Sequence, residues 1–126
     1  MILGIGCDIL DLKRFQKAAS DDFVAHIFTP KERARANTLK GKRKWGYLAK
    51  RFSAKEAAVK ACGCGIGEHI GWQDIEILND ASGAPTIHFS KKASGYIQKH
   101  FKCQKFKAHI SLSDDGQSMA FVILEK

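Results

Sequence analysis

Two carboxylates stand where the surrounding pattern favours apolar side chains, and they are the first candidates for chemistry. Glu56 belongs to a segment whose apolar residues recur at helical spacing, namely Trp45, Leu48, Phe52 and Val59. At about 100° per residue, Glu56 falls inside this apolar stripe. A buried, unpaired carboxylate is so unfavourable that it must meet a cation, a metal ion or hydrogen-bond donors, or else stay protonated. An ion pair with Lys60, one helical turn on, is the structural alternative.

Asp8 is the second carboxylate, near the end of an apolar, β-branched segment that suits a largely buried strand. Alternation along a strand places Asp8 on the same face as Gly4 and Gly6, and the opposite face then carries Ile5, Cys7 and Ile9. Two glycines before a carboxylate leave bare backbone that a ligand can approach. The structural alternatives are the N-cap of a following helix or an exposed strand end.

Asp8 and Glu56 together would form a minimal site for a hard divalent cation. Such a cation keeps several waters and takes its remaining ligands from substrate phosphates. Three basic residues, Arg51, Lys55 and Lys60, surround Glu56 in the sequence and are candidates to bind those phosphates.

Other motifs are weaker. Gly4 and Gly6 lack the third glycine of a dinucleotide fingerprint, and the turn containing Gly63 and Gly65 follows a helix rather than preceding one, although its bare backbone can still contact a ligand. His109, Ser111 and Ser113 share one face of a predicted strand, which needs no function. The chain has four cysteines, Cys7, Cys62, Cys64 and Cys103, whose spacing fits neither a redox motif nor a structural zinc site.

The charge of the chain is strongly positive and unevenly placed. Lys and Arg number 21 against 13 Asp and Glu, a formal net charge of +8. Residues 31–60 hold 11 basic and 2 acidic side chains, and residues 91–107 hold six lysines and no acid. Nucleic acid, anionic membranes, phosphorylated small molecules and acidic proteins are all compatible partners.

A small nucleic-acid-binding domain is the main alternative to a phosphate-handling enzyme. The basic segments lack the interleaved exposed aromatic residues of a single-strand platform, and they match no zinc-finger pattern. This alternative leaves Asp8 and Glu56 without a role, and so does a scaffolding trimer. We therefore expect no nucleic-acid partner.

The elements that must position these residues follow from periodicity and capping signals. Thr29 and Glu32 have capping-box spacing, with Pro30 at the first helical position. We predict helices over 11–19, from about 30 to 37, over 42–62 and over 91–101, the long one stopped by Gly63. We predict strands over 1–10, 74–79, 85–89, 108–113 and 119–124, with turns at 80–83 and 114–116.

The length of 126 residues allows one core, and we predict a single domain over residues 1–126. A domain of this size is only narrowly stable alone, so subunit contacts would help it. No apolar run approaches the ~18 residues of a membrane span, which argues against membrane association. Without an export signal, the cysteines favour a reducing, cytoplasmic location.

Several motifs, with their order along the chain, resemble the holo-acyl-carrier-protein synthase family, the small phosphopantetheinyl transferases. The first is the opening G-x-G-x-D strand that ends at Asp8. The most specific is the K-E-A-x-x-K motif that contains Lys55, Glu56 and Lys60. Further matching segments lie at 28–32, 48–54, 63–66, 74–77, 83–85 and 109–113. The resemblance therefore covers nearly the whole chain.

The resemblance implies an α+β, phosphopantetheinyl transferase-like fold, with a small antiparallel or mixed sheet packed on one long and several short helices. It also implies a homotrimer with active sites between subunits. The implied reaction moves the phosphopantetheine arm of coenzyme A onto a serine of an acidic apo acyl carrier protein. Adenosine 3',5'-bisphosphate is released, and the product supports fatty-acid biosynthesis.

The resemblance also assigns residues. Asp8 and Glu56 match the magnesium ligands of the family, and Lys60 is the natural cation for the same phosphates. Arg14 matches a carrier-binding position, and Lys17 lies one turn after it. The expected coenzyme A contacts are Arg51, Lys55, Lys60, Gly63, Gly65 and, more weakly, Ser111.

Two further features concern the coenzyme A site. The basic run at 40–44 is a candidate for the 3'-phosphate of coenzyme A, with a solvated helix face as the alternative. Many relatives have a histidine where this chain has Asp114, so a coenzyme A contact by that histidine does not carry over.

Overall fold

A three-stranded antiparallel sheet and one long helix form the centre of the computed structural model, which describes residues 1–126. The strands are β1 (Ile2–Asp11), β2 (Ile75–Asn79), β3 (Pro85–Phe89), β4 (Lys107–Asp114) and β5 (Gln117–Glu125). The helices are α1 (Leu12–Ala18), α2 (Asp21–Ile27), α3 (Pro30–Asn37), α4 (Gly41–Ala61) and α5 (Lys91–His100). A short 3-10 helix spans Trp72–Asp74. The expected α+β fold is confirmed.

The sheet has the strand order β1-β5-β4, and β2 and β3 form a separate antiparallel hairpin. In the register of the sheet, Asp8 lies opposite Ala120, which in turn lies opposite Leu112. These three side chains share the face of the sheet that is covered by α4. The register therefore turns Asp8 toward the long helix.

Gly4 and Gly6 explain how closely β1 approaches α4. A Cβ built on Gly4 would lie 1.9 Å from the carbonyl oxygen of Ala61, and one on Gly6 would lie 1.9 Å from that of Ala57. The bare backbone at both positions is therefore covered by helix backbone, and the expectation that it is open to a ligand is wrong. What the glycines do is bring the strand, and with it Asp8, against α4.

The opposite face of β1 is uncovered in the isolated chain. Ile5 and Ile9 remain 56% and 57% exposed, although an apolar β-branched segment favours burial on both faces. Met119 and Phe121 on β5 continue the same exposed apolar surface. Only one face of the sheet is packed within the chain, so the expectation of a largely buried first strand holds for half of its side chains.

The helix boundaries follow the local signals. Thr29 caps α3 by accepting from the backbone N–H of Glu32, and the Glu32 side chain accepts from the Thr29 N–H at 2.9 Å, which completes a capping box. The chain leaves α4 through Gly63, whose φ of +71° lies in the left-handed region. The predicted bounds of these helices agree with the structure to within one or two residues.

Helix α2 was not predicted, although Ser20 caps it and Asp21 and Asp22 favour its first turn. It belongs to a buried cluster around Phe15, Phe28 and Leu48 that packs beside the N-terminal half of α4. A second cluster joins the C-terminal half of α4 to the sheet, the hairpin and α5. Thus α4 runs through both halves of the core. No helix has both the length and the apolar character needed to cross a membrane.

Candidate active site

Asp8 lies within β1 and not at its end. Its side chain is 17% exposed and faces α4. The N-cap of α1 is Asp11, whose Oδ1 accepts from the backbone N–H of Arg14 at 2.8 Å. Neither structural alternative for Asp8, a helix cap or an exposed strand end, therefore applies.

Glu56 lies on α4 beside Asp8 and forms no ion pair. Burial raises the pKa of the Glu56 carboxyl above its ordinary value, repulsion by Asp8 raises it further, and the Lys60 ammonium opposes both. The expected alternative, an ion pair between Glu56 and Lys60, is absent. The strand and the helix thus bring two carboxylates together at an energetic cost that a cation between them would relieve.

Lys60 completes this cluster from one turn further along α4. Its Nζ lies 3.2 Å from Oδ1 of Asp8 and donates to the carbonyl oxygen of Cys7 at 3.0 Å. About half of the Lys60 side chain remains exposed. The ammonium is therefore held at the site by two oxygens and still has a solvent-facing side for an anionic ligand.

The donor set of this cluster fits magnesium. Both carboxylates supply the hard oxygen ligands that Mg²⁺ prefers. No group of three or more His, Cys, Asp or Glu side chains is placed to hold a metal ion. A metal bound here would therefore depend on water and substrate oxygens for its remaining ligands, as Mg²⁺ commonly does.

The glycine turn that follows α4 lies just beyond Lys60. A Cβ on Gly63 would lie 3.2 Å from Nε2 of His100, whereas one on Gly65 would meet nothing within 4 Å. The φ of +71° at Gly63 favours glycine at this helix end. Gly65 is open, so its backbone is free to approach a ligand.

A second candidate surface surrounds Arg51 and forms a cleft of about 860 Å³. The Arg51 guanidinium lies over the Tyr47 ring, 3.7 Å from its centroid, and donates to Oδ1 of Asn79. Burial lowers the pKa of Arg51, and the neighbouring Tyr47 partly offsets this. The basic residues lining the cleft are Arg35, Lys42, Arg43, Lys50 and Arg51.

The cleft contains residues that the sequence did not single out. Tyr47 precedes Arg51 by one helical turn, and that spacing was a usable signal for stacking. Asn79 ends β2, and only the tertiary structure brings it to Arg51. Of the basic run at 40–44, Lys42 and Arg43 line the cleft, whereas Lys40 and Lys44 do not.

The cleft and the carboxylate cluster lie on different sides of α4. Arg51 and Glu56 are five residues apart, which separates their directions by about 140° around a helix. None of Asp8, Glu56 and Lys60 lines the cleft. Within one chain, the structure therefore presents two separate candidate surfaces.

Lys55 belongs to neither surface. Its side chain and that of Glu32 are both fully buried, and its Nζ lies 2.8 Å from Oε1 of Glu32. The same ammonium donates to the carbonyl oxygens of Trp72 and Ile75. The expectation that Lys55 binds coenzyme A is corrected, because the ammonium has no free donor and no exposed surface.

Ser111 lies on the uncovered face of the sheet, opposite Phe121, which lies opposite Cys7. Asp8 points to the other face, so the structure does not bring Ser111 to the carboxylate cluster of its own chain. On the same uncovered face, Nε2 of His109 lies 2.8 Å from Oε2 of Glu125.

Arg14 and Lys17 are exposed on α1, which directly follows the strand that carries Asp8. Phe15 of the same helix packs against Phe52 of α4, with ring centroids 5.5 Å apart. This contact fixes α1 beside the helix that carries Glu56. Arg14 and Lys17 thus stand exposed on a helix that is packed against α4 and directly follows the strand carrying Asp8.

Comparison with known proteins places this chain in a family. The sequence model described as the 4'-phosphopantetheinyl transferase superfamily matches residues 4–122. The chain is 38% identical to the holo-[acyl-carrier-protein] synthase of Paramagnetospirillum magneticum, over 99% of this chain and 97% of that protein.

Solved structures agree with the sequence comparison. A holo-(acyl-carrier-protein) synthase from Bacillus anthracis, described as a complex with CoA (3',5'-ADP), has a TM-score of 0.84 at 39% identity, covering 99% of this chain and 97% of that one. The holo-[acyl-carrier-protein] synthase from Neisseria meningitidis has a TM-score of 0.86 at 36% identity and full coverage of both chains. This chain therefore belongs to the holo-acyl-carrier-protein synthase family of the 4'-phosphopantetheinyl transferase superfamily.

Proposed function

We propose that this chain transfers the 4'-phosphopantetheine group of coenzyme A to a serine of an apo acyl carrier protein. The serine oxygen forms a bond to the β-phosphorus, the pyrophosphate bond breaks, and adenosine 3',5'-bisphosphate leaves. The observation that carries the proposal is the convergence of Asp8 on β1 and Glu56 on α4, with Lys60 beside them. Family membership supports the same reaction.

We propose that Asp8 and Glu56 hold a magnesium ion. When bound, the ion supplies positive charge that stabilises the transferring phosphoryl group and the leaving bisphosphate. The support is the pair of hard oxygen donors, since burial and then repulsion by Asp8 raise the pKa of Glu56. Lys60 is held beside Asp8 with its solvent-facing side free, so it binds and orients the pyrophosphate. The serine proton goes to Glu56 or to a water molecule in the site.

The nucleotide end of coenzyme A fits the basic cleft around Arg51. A bisphosphorylated nucleoside carries several negative charges, and five basic side chains line the cleft. Arg51 is pre-oriented by Tyr47 and Asn79, which lowers the entropy lost on binding. Lys42 and Arg43 are the members of the basic run that reach a 3'-phosphate there.

A homotrimer explains why these two surfaces lie on different sides of α4. A single coenzyme A molecule that uses both surfaces is then shared, with the cleft of one subunit facing the Asp8–Glu56 cluster of its neighbour. The exposed apolar face of the sheet, with Ile5, Ile9 and Phe121, offers a surface for that assembly. Ser111 on that face reaches a ligand only at such a boundary.

The carrier protein is the second substrate. We propose that Arg14 and Lys17, exposed on the helix that follows the Asp8 strand, bind the acidic surface expected of a carrier. We propose that residues 1–126 act as one transferase domain in the cytoplasm and serve fatty-acid biosynthesis. The four unpaired cysteines are compatible with a reducing compartment.

The test is to incubate the protein with coenzyme A, Mg²⁺ and an authentic apo acyl carrier protein and to measure the intact mass of the carrier. We expect a gain equal to one phosphopantetheine group on its serine, and no gain in the presence of a chelator of divalent cations. An unchanged carrier mass with folded protein and Mg²⁺ present would contradict the proposed activity.

A further inference from the structure

The basic cleft contains one carboxylate that accepts no hydrogen bond from the chain. Two aspartates line the cleft, Asp80 and Asp114. Asp80 holds its own turn, because its Oδ1 accepts from the backbone N–H groups of Ser82 and Ala84 and from the Ser82 hydroxyl. Asp114 accepts no hydrogen bond in the structure. Its only ionic neighbour is Lys50, whose Nζ lies 3.7 Å from Oδ2.

Asp114 is placed among the groups that would bind an anion. A Cβ on Gly46 would lie 3.6 Å from Oδ2 of Asp114, so the carboxylate sits over the first turns of α4. Gly46 lies between Arg43 and Lys50, one helical turn from each. Half of the Asp114 side chain is exposed to the cleft and to solvent. Asp114 is therefore a negative charge without a hydrogen-bond donor in a cleft whose charged side chains are mainly basic.

We propose that Asp114 is a specificity-determining residue that weakens the hold of the cleft on a 3'-phosphate of the bound nucleotide. This inference rests on the proposed function, because it assigns the nucleotide end of coenzyme A to the cleft. Asp114 acts in two ways. It partly neutralises the positive charge of Lys50, which lowers the attraction of Lys50 for a phosphate, and it repels the phosphate directly.

The size of the effect follows from the exposure of the groups. Exposed charge pairs change free energies by fractions of a kcal/mol, which corresponds to about a two- to fivefold change in affinity. The effect must shrink as salt is added, because the Debye length shortens and mobile ions increasingly screen these exposed charges. The effect on affinity must also require the 3'-phosphate. A nucleotide without that group has no charge there for Asp114 to repel.

If Asp114 instead accepted a hydrogen bond from the nucleotide, removing its charge would change the affinity in the opposite direction. A carboxylate that accepts from an adenine amino group or a ribose hydroxyl strengthens binding, so its loss weakens the complex. The sign of the change on removing the charge therefore separates repulsion from recognition.

The binding experiment uses adenosine 3',5'-bisphosphate and adenosine 5'-phosphate as probes, titrated calorimetrically at low salt into the full-length protein. Asp114→Asn should raise the affinity for the bisphosphate about two- to fivefold and leave the affinity for the monophosphate unchanged. The matched control is Asp115→Asn, the adjacent residue, which does not line the cleft and should change neither affinity. Lys50→Gln should lower the affinity for the bisphosphate.

The kinetic experiment compares coenzyme A with 3'-dephospho-coenzyme A. In Asp114→Asn, KM for coenzyme A should fall by a similar factor while KM for the dephospho form stays constant. Circular dichroism and the melting temperature establish that each variant is folded.

Four results with the variants would overturn the inference. These are weaker bisphosphate binding by Asp114→Asn, an equal change for both nucleotides, the same change in Asp115→Asn, or unaltered binding in Lys50→Gln. Equal binding of both nucleotides by the wild-type protein would also overturn it, whereas the proposed transfer is judged separately by the mass of the carrier.

Discussion

Two lysine–carboxylate pairs on α4 differ in what surrounds them. Lys55 and Glu32 are fully buried, and Glu32 also accepts from the backbone N–H groups of Thr29 and Ile77. Lys60 and Asp8 lie at the surface of the carboxylate cluster, with about half of the Lys60 side chain exposed. The first pair joins α3, α4 and β2, and the second stands at the candidate site.

The two pairs contain the same kinds of side chain. They differ in whether all of their hydrogen-bonding groups already have partners within the chain. Each oxygen of Glu32 has its own donors, and the Lys55 ammonium has three acceptors, so the network offers nothing to a ligand. Around Lys60, the neighbouring Glu56 has no cation of its own, and burial and Asp8 raise its pKa. The second pair therefore has an unpaired carboxylate beside it, which favours binding of a metal ion and, with it, phosphates.

The largest expected effect comes from breaking the buried pair. Lys55→Met should destabilise the fold by about 3–5 kcal/mol, because it leaves Glu32 buried without its cation. Chemical denaturation followed by circular dichroism measures the change. A loss below about 1 kcal/mol would show that the buried pair contributes little, and the contrast between the two pairs would fail.

Next in size is the loss of transfer in Glu56→Gln. The substitution keeps the shape but removes a carboxylate from the proposed metal site, so kcat/KM should fall about 10²–10³-fold while the melting temperature is retained. The carrier-modification assay at limiting Mg²⁺ measures it, with the exposed Glu68→Gln as the control. Wild-type rates in Glu56→Gln under those conditions would refute the metal assignment.

Gly6→Ala tests how the strand delivers Asp8 to the helix. The added Cβ would lie 1.9 Å from the carbonyl oxygen of Ala57, so β1 must shift, at about 1–3 kcal/mol of stability and with reduced transfer. The control is Gly95→Ala in α5, where a Cβ meets nothing within 4 Å. That variant should gain about 0.5–1 kcal/mol, since alanine is the better helix former. Equal melting temperatures for the two variants would argue against close packing at Gly6.

Lys60→Met, the counterpart of Lys55→Met on the same helix, should have only a small effect on stability. Its ion pair with Asp8 is partly exposed, so the free energy of unfolding should change by less than about 1 kcal/mol. KM for coenzyme A should nevertheless rise, about tenfold or more, because a charge-assisted contact to phosphate is lost. A large loss of stability with unchanged KM would reverse the roles assigned to the two lysines.

Much of the local structure could be predicted from the sequence. Capping at Thr29, the helix stop at Gly63 and strand alternation depend on residues a few positions apart, which a pattern contains in full. Glu56 could be singled out for the same reason, because helical periodicity alone places it inside an apolar stripe. Helix α2 was missed although its cap, Ser20, was visible.

Residues whose roles depend on distant partners could not be assigned in this way. The burial of Lys55 depends on Glu32 and on the carbonyl oxygens of Trp72 and Ile75. The spacing of these residues along the chain does not predict that they are in contact. The same holds for Arg51 and Asn79, which are brought together by the packing of the hairpin against α4.

The sequence by itself determined most of the elements, the family resemblance and the two carboxylates, because these follow from residue types at short range and from motifs read in order. The tertiary structure decided which face of β1 is covered, which lysine beside Glu56 is free, and that the basic cleft and the carboxylate cluster lie on different sides of one helix. Those outcomes depend on which surfaces exclude water from each other. That is a property of the packed chain, and no local pattern contains it.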